Sequence, residues 1–456
     1  MPGYLEATLA KAEGAGAHPT ELAALRRRLE QLTVTDAGQL PGSELEPLPD
    51  LPRLEELPSP SESQARDVLD RLVVVKLNGG LGTSMGLSGP KSLLSVKDGH
   101  SFLDVFTMQV LALREQYGAR LPLMLMDSPS TRGPSLEALG RHAGVQDNGP
   151  VPLDFLQGRE PKLRVDDHLP VAWPQAPELE WCPPGHGDLY TALAASGTLD
   201  ALLEAGVRWC FVSNADNLGA VPDARLAAWI ADEGVPFAME AVRGTPADRK
   251  GGHLAVHRGR TVLRETAQVP EGDDSFSDVE RWRYYNTNNL WIDLEALRTL
   301  QREEPGGPAL PLIVNAKTVD PSDAASTPVI QLETAMGAAI GSIEGARAVQ
   351  VPRHRFAPVK TTDDLLVVRS DCYELSPAGL MQARFDGPPP FVALDKDHFK
   401  LLPGFEARFP QGAPSLRRCD RLTVSGDVTF GAHVVVEGSV VVTGPQQVAD
   451  GEVLRG

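Results

Sequence analysis

The sequence predicts an α/β protein: a Rossmann-like, mixed but mostly parallel sheet covered by helices, followed by a C-terminal parallel β-helix. Three observations predict it. Apolar runs of strand length alternate with amphipathic helical stretches, a long glycine-rich loop follows the first of those runs, and the tail repeats every six residues. Alternation of this kind places helices on both faces of a sheet whose strands run largely parallel. With 456 residues the chain is long enough for two or three domains.

Residues 1–70 form the first unit. PTELAALRRRLEQL sets Leu22, Leu25, Leu29 and Leu32 at helical spacing, with Thr20 as the expected N-cap and Glu21 behind it. QLPGSELEPLPDLPRLEELPSPSES is rich in Pro, Glu and Ser and reads as an extended wrap. Residues 71–375 hold the alternating runs LVVVKL, LPLMLM, RWCFVS, PFAMEAV and NLWIDL, separated by helical stretches such as DVFTMQVLALREQYG. In such sheets ligands bind beyond the carboxyl ends of strands, so the loop after each run is where chemistry is expected. In residues 376–456, Leu422, Val428, Val434 and Val440 recur at steps of six, as do Val424, Phe430, Val436 and Val442, with Gly426, Ala432, Gly438 and Gly444 on the same step. That coincidence favours a parallel β-helix over a simple hairpin, and leaves a coil end as a candidate contact for a homo-oligomer.

Composition narrows the function. A net charge of -18 argues against a nucleic-acid surface, which needs concentrated Lys and Arg. No stretch approaches a membrane span, and the N-terminus lacks the apolar core of a signal peptide. Four cysteines without a CxxC pair suit reduced thiols, and the expectation is a cytoplasmic protein.

The stretch from Lys76 to Ser92 reads KLNGGLGTSMGLSGPKS. A Walker loop needs Gly directly before its Lys, but Pro90 precedes Lys91; a dinucleotide fingerprint needs a third Gly where Met85 stands. What remains is a strand, a long bare backbone and one positioned lysine. Glycines let N–H groups approach phosphate oxygens, and Lys91 adds a point charge for a polyphosphate.

The loop resembles the nucleotide-binding loop of the eukaryotic-type UTP–glucose-1-phosphate uridylyltransferases, also called UDP-glucose pyrophosphorylases. The likeness continues in order through PLMLMDS, FLQGREPKL, WCPPGHGDLY, FVSNADNLGA, YNTNNLWIDL, VIQLETAMGAAIGS and VPRHRFAPVKTTDDLL. It implies a nucleotidyltransferase type A-like domain with a left-handed C-terminal β-helix. It also implies a Mg²⁺-dependent reaction in which UTP and glucose 1-phosphate give UDP-glucose and pyrophosphate. The sugar phosphate supplies the nucleophile, so the protein must hold two anions together and stabilise charge.

Roles follow from the resemblance and from residue type. Lys91 and Lys360 are the expected catalytic cations, Lys360 reaching the phosphates from the opposite side. Asp216 is the expected metal ligand, because Mg²⁺ usually takes one or two carboxylates plus phosphate oxygens; a turn-forming role is the alternative. Leu77, Asn78, Gly79, Gly80, Gln157, Gly185 and Asn214 are expected at the nucleotide, the Gln157 amide matching the donor–acceptor edge of uracil. His186 is read as a hydrogen-bond donor to the sugar phosphate or as a structural loop residue. Gly252, Glu265, Asn286 and Asn288 are expected at the sugar, although such asparagines also form turns. Glu333 reads as helical. A relative acting on galactose 1-phosphate or an N-acetylhexosamine 1-phosphate is the near alternative, and a non-catalytic UDP-sugar sensor the distant one.

Overall fold

The computed structural model describes residues 3–33, 38–245, 248–385 and 387–456. Helices α1 (Gly3–Gly14) and α2 (Pro19–Leu32) form an N-terminal hairpin. The cap of α2 is His18 rather than the expected Thr20. His18 Nδ1 accepts from the Thr20 N–H at 3.2 Å, and the Glu21 carboxylate accepts from the His18 N–H at 2.6 Å. Pro19 explains the shift: its fixed φ and missing N–H suit the first helical position, so the cap is His18, two residues before Thr20. Leu25 and Leu29 of α2 bury against Tyr4 and Ala12 of α1 and against Leu163, Ile330 and Leu332 of the main body.

The proline-rich segment runs along the sheet margins. Leu45, Leu48, Leu54 and Leu57 are buried and Leu51 is half-buried against the core, while the other residues between them face outward. Glu46–Pro47 adds an edge strand on Val256 and Ala255, a position where a residue without an N–H is tolerated.

The central sheet contains β1 (Leu72–Leu77), β2 (Leu123–Asp127), β3 (Asp154–Leu156), β4 (Trp209–Asn214), β5 (Phe237–Arg243) and β6 (Tyr284–Asp293). A smaller sheet includes β7 (Pro328–Glu333), and β8 (Arg347–Gln350) closes one side of the central sheet. Across its middle the order is β8-β5-β6-β4-β1-β2-β3. Strands β4, β1, β2 and β3 are parallel, and β6 is antiparallel to both neighbours. Side chains alternate between two apolar layers. Val73 and Val75 pack with Leu189, Leu193, Leu202 and Leu297, whereas Leu72 and Val74 pack with Leu69, Phe106, Leu226 and Ile230. Burial on both faces accounts for the unbroken apolar run LVVV.

From β1 the chain proceeds outward through β2 and β3, then returns to place β4 on the other side of β1. This reversal opens a crevice at the carboxyl ends of β1 and β4, the place where open α/β sheets bind ligands. The glycine loop leaves β1 there, and Asn214–Asp216 leaves β4 beside it.

Beyond residue 376, strands Ser415–Ser425, Val435–Thr443 and Val453–Arg455 stack in parallel. Leu422 pairs with Val440 and Val436 with Leu454, eighteen residues on, so one coil spans three of the six-residue steps. Both apolar series point inward: Leu422, Val428, Val434, Phe430 and Val436 are all 0 % exposed. Gly438, at φ +72°, keeps the coils close, since a Cβ there would lie 2.3 Å from the Gly456 carbonyl oxygen. The coil interior also packs against Met85 of the glycine loop and Val359 next to Lys360. Among the described residues no helix is long and apolar enough to cross a membrane.

Leu422→Ala removes most of a fully buried side chain from this stack. The expected cost is about 2–5 kcal/mol, read as a lowered denaturation midpoint in urea.

Candidate active site

The glycine loop is built from the strand outward. Asn78 is turned into the protein: its N–H donates to the Met126 carbonyl at 2.8 Å, and its amide donates to Asp127 Oδ1 and Ser135 Oγ, each at 2.7 Å. Burial pushes the Asp127 carboxyl up to about 6, against the hydrogen bonds from Asn78 and Thr131 that lower it. The Asn78 side chain thus braces the loop from beneath. Gly79 faces the crevice, where a Cβ would sit 2.3 Å from Gln157 Oε1. Gln157 is held by its N–H to the Asp127 carbonyl at 2.8 Å, and its amide makes no hydrogen bond among the described residues. Gly82 and Gly86, at φ +62° and +76°, turn the chain back so that the Lys91 N–H reaches the Gly80 carbonyl at 3.0 Å.

Lys91 then meets the β4 loop, its Nζ donating to Asp216 Oδ2 at 2.5 Å. Asp216 Oδ1 is buried and has no partner among the described residues. Residues 216–218 are stitched to 357–359. The Val359 N–H donates to the Asp216 carbonyl at 3.1 Å, the Ala357 N–H donates to Asn217 Oδ1 at 2.9 Å, and Asn217 bridges Pro358. Lys360 is therefore delivered to the same crevice, exposed, with its ammonium making no hydrogen bond or ion pair among the described residues.

Two buried cations support this junction. Arg355 Nε and Nη2 donate to the Glu240 carboxylate at 2.8 and 2.6 Å, and Asn289 and Trp291 donate to the same group at 3.0 Å. Lys76 Nζ donates to Ser213 Oγ and the Ala220 carbonyl, bracketing the loop that carries Asp216. Burial lowers the Lys76 ammonium to about 7; Arg355 adds to that and Glu240 opposes it.

The opposite wall is the PPGHGD loop. Gly185 has φ +79° and ψ 176°, a conformation essentially reserved for glycine, and a Cβ there would lie 2.6 Å from the Thr334 carbonyl oxygen. That close approach brings His186 Nδ1 within 3.0 Å of the Met336 N–H. Nδ1 accepts, so the neutral ring carries its proton on Nε2. Burial, with the charge of Lys360, lowers the His186 ring to about 4. From Met336 the chain turns at Gly337, where a Cβ would fall 2.9 Å from Asn286 Nδ2. Asn286 Nδ2 donates to Asn288 Oδ1 at 2.8 Å, and Asn288 sits in the left-handed region at φ +56°. The Asn286 N–H donates to the Gly252 carbonyl at 3.0 Å, and Gly252 faces the Glu265 carboxylate. Burial raises Glu265, and Lys360 opposes the shift.

The structure thus joins Lys91, Asp216, Asn214 and the Lys360 loop on one side, and Gly185, His186, Asn286, Asn288, Gly252 and Glu265 on the other; Gln157, Gly79, Gly80 and Leu77 lie at the β1 end. Glu333 is corrected: it ends strand β7 rather than lying in a helix, because VIQLE alternates as a strand and the small residues after it form a 3-10 turn. Sequence reasoning missed Met336, whose N–H sets the His186 tautomer, and it missed Lys76, Glu240 and Arg355. Arg355 carried a signal, in VPRHR; Lys76 and Glu240 sit in strands that read simply as core, and Met336 acts through its backbone N–H at the start of a 3-10 turn. Among the described residues no group of three or more His, Cys, Asp or Glu side chains could hold a metal.

A glycine loop and a carboxylate at the switch point of an α/β sheet, faced by a lysine whose ammonium is unpartnered among the described residues and by an imidazole with Nε2–H left to donate a hydrogen bond, are the parts of a nucleotidyltransferase. The sequence matches the family profile described as UTP–glucose-1-phosphate uridylyltransferase over residues 26–437. The protein of that name from Hordeum vulgare is 40% identical over 408 residues, covering 87% of this chain and 84% of the relative. That from Saccharomyces cerevisiae is 42% identical over 378 residues, covering 82% and 74%. The solved UDP-glucose pyrophosphorylase of Leishmania major superposes with a TM-score of 0.93 at 41% identity, covering 100% of this chain and 98% of that one. The chain belongs to the UTP–glucose-1-phosphate uridylyltransferase family. Its activity is uridylyl transfer between UTP and glucose 1-phosphate.

The neutral state of His186 is testable. In a histidine-selective NMR titration its ring keeps the Nε2–H tautomer and titrates near 4, whereas a free imidazole titrates near 6.5. The folded ring takes up its proton later than the unfolded one. Its contribution to stability is therefore complete above about 6.5 and lost as pH falls towards 4.

Proposed function

We propose that the crevice carries out a single in-line displacement in which glucose 1-phosphate attacks the α-phosphorus of UTP. One bond forms, from a phosphate oxygen of the sugar ester to that phosphorus. One bond breaks, between the α-phosphorus and the oxygen bridging to the β-phosphate, and pyrophosphate leaves with the electron pair. The attacking phosphate is already ionised, so no protein base is required. The observation that carries this reading is the convergence of Lys91, Asp216 and Lys360 within one crevice, with a neutral imidazole opposite.

Roles follow by position. Gln157, with backbone groups of Leu77 and Gly79, reads the uracil edge, while Asn78 braces them. Loop N–H groups from Gly80 onward and Lys91 take the triphosphate; Asn214 and Gly185 flank it. His186 Nε2–H donates to the sugar phosphate, a role the Nδ1 contact with Met336 favours. Lys360, held on its stitched loop, neutralises charge that grows as the displacement proceeds. Asn286, Asn288, Glu265 and the Gly252 backbone meet the hexose hydroxyls.

Asp216 is the carboxylate for Mg²⁺. Its orphaned Oδ1 fits a cation that takes one carboxylate from the protein and its remaining ligands from phosphates and water. When bound, the ion supplies charge compensation for the triphosphate. Lys91 is paired with Asp216, so a triphosphate that draws Lys91 onto its own oxygens also frees Asp216. We further propose a cytoplasmic protein whose C-terminal coil stack is the contact for a second copy.

Lys360→Ala should lower kcat about 10²–10³-fold, the scale of removing one preorganised charge partner. Its Tm should barely move, because the side chain is exposed. Asp216→Asn should raise the Mg²⁺ concentration needed for half-maximal pyrophosphate release. An undiminished rate in Lys360→Ala would remove that residue from the chemistry.

A further inference from the structure

The N-terminal hairpin reaches the turn that carries Gln157. Arg28, on α2, is 6 % exposed, and Glu160, three residues after Gln157, is 1 % exposed. Arg28 Nε and Nη2 both donate to Glu160 Oε2, at 3.0 and 2.6 Å, while Glu160 Oε1 has no partner among the described residues. Between them lies Gly158, whose N–H donates to Asp188 Oδ2 at 2.6 Å and whose Cβ position is 2.9 Å from Glu21 Oε1 of α2. The turn is thus clamped between the hairpin and the loop that carries His186.

The charges in this clamp are unbalanced without Arg28. Burial pushes Glu160 up to about 7, with Asp188 and Glu333 raising it further, and Arg28 is the cation that opposes them. Burial pushes Asp188 up to about 6, with Glu21 adding and Arg28 again opposing. The neighbouring Arg159 does not substitute, since its guanidinium lies over the Trp181 ring at 4.7 Å. Removing one partner of a buried pair leaves a stranded charge that the backbone relieves by moving. Here the backbone that would move is the turn from Gln157 to Glu160.

We propose that Arg28 is a positioning residue for base recognition: from the N-terminal hairpin it fixes the turn that aims the Gln157 amide. The inference rests on the assignment of Gln157 to uracil. Rejection of the wrong base depends on where that amide points, because cytosine reverses the donor and acceptor at the positions it meets.

The experiment uses the full chain and compares UTP with CTP. Arg28→Gln is expected to raise KM for UTP about tenfold, about the effect of one lost hydrogen bond. The UTP-over-CTP preference in kcat/KM should fall by a similar factor, while KM for glucose 1-phosphate stays within about twofold. Arg28→Lys, which keeps the charge, should recover most of the loss. Should Arg28→Gln fail to fold, Glu160→Gln reads the same junction. A folded Arg28→Gln or Glu160→Gln protein with unaltered UTP KM and base preference, even at a lowered Tm, overturns the inference. So does an equal rise in both substrate KM values. Gln157→Ala separates the two claims: if it leaves base preference intact, the Gln157 assignment fails. If it lowers the preference and Arg28→Gln does not, only the role of Arg28 fails.

Discussion

The site depends on the stitch between residues 216–218 and 357–359. Asn217 and Ala357 are 140 positions apart, yet side-chain and backbone hydrogen bonds fasten them into a short antiparallel bridge. Without it, the carboxylate at the end of β4 and the lysine of the PVKTTDD loop would belong to separate surface segments. The bridge is held from below by the Glu240–Arg355 pair. A buried ion pair is rarely a large net source of stability, but its members are satisfied here by Asn289, Trp291 and the Val221 carbonyl. Its effect is to allow one arrangement of these strands and penalise others.

The electrostatics of the crevice differ from those of the body around it. The chain carries a net charge of -18, while its two substrates are anions. Long-range attraction therefore contributes little to capture, and affinity must come from groups at contact distance. The N–H groups of the glycine loop are donors that add no net charge. Lys91 is paired with Asp216, which avoids leaving two opposite charges unpaired in a partly buried site. Lys360 is exposed, its ammonium unpartnered among the described residues, and its field reaches both His186 and Glu265. The imidazole is held neutral by burial and by the charge of Lys360, with Nδ1 taken by the Met336 N–H and Nε2–H left as a donor.

Much of this was legible in the residues. The α/β class followed from apolar runs buried on both faces, of which LVVV in β1 is the clearest. The six-residue step falls on buried tail residues, and parallel pairing at an offset of eighteen, as of Leu422 with Val440, is consistent with three such steps per coil. Sequence placed Lys91, Asp216 and Lys360 in loops, and the switch-point topology explains why those loops meet. What it could not give were facts set by tertiary contact. The Asn78 side chain turns inward because Asp127 and Ser135 stand beneath it. Thr20 lost its cap to His18 because Pro19 fixes the first turn. Glu333 read as helical because small residues follow it, although its own segment alternates. The His186 tautomer is set by a backbone N–H 150 positions away.

The central claim is that both anions are held together for one displacement at phosphorus, with no group of the protein attacking it. Stereochemistry tests this most directly. With a single diastereomer of UTP bearing sulfur on the α-phosphorus, the account predicts inversion at that phosphorus in the UDP-glucose analogue. Retention would require two displacements through a covalent enzyme intermediate, and would contradict it.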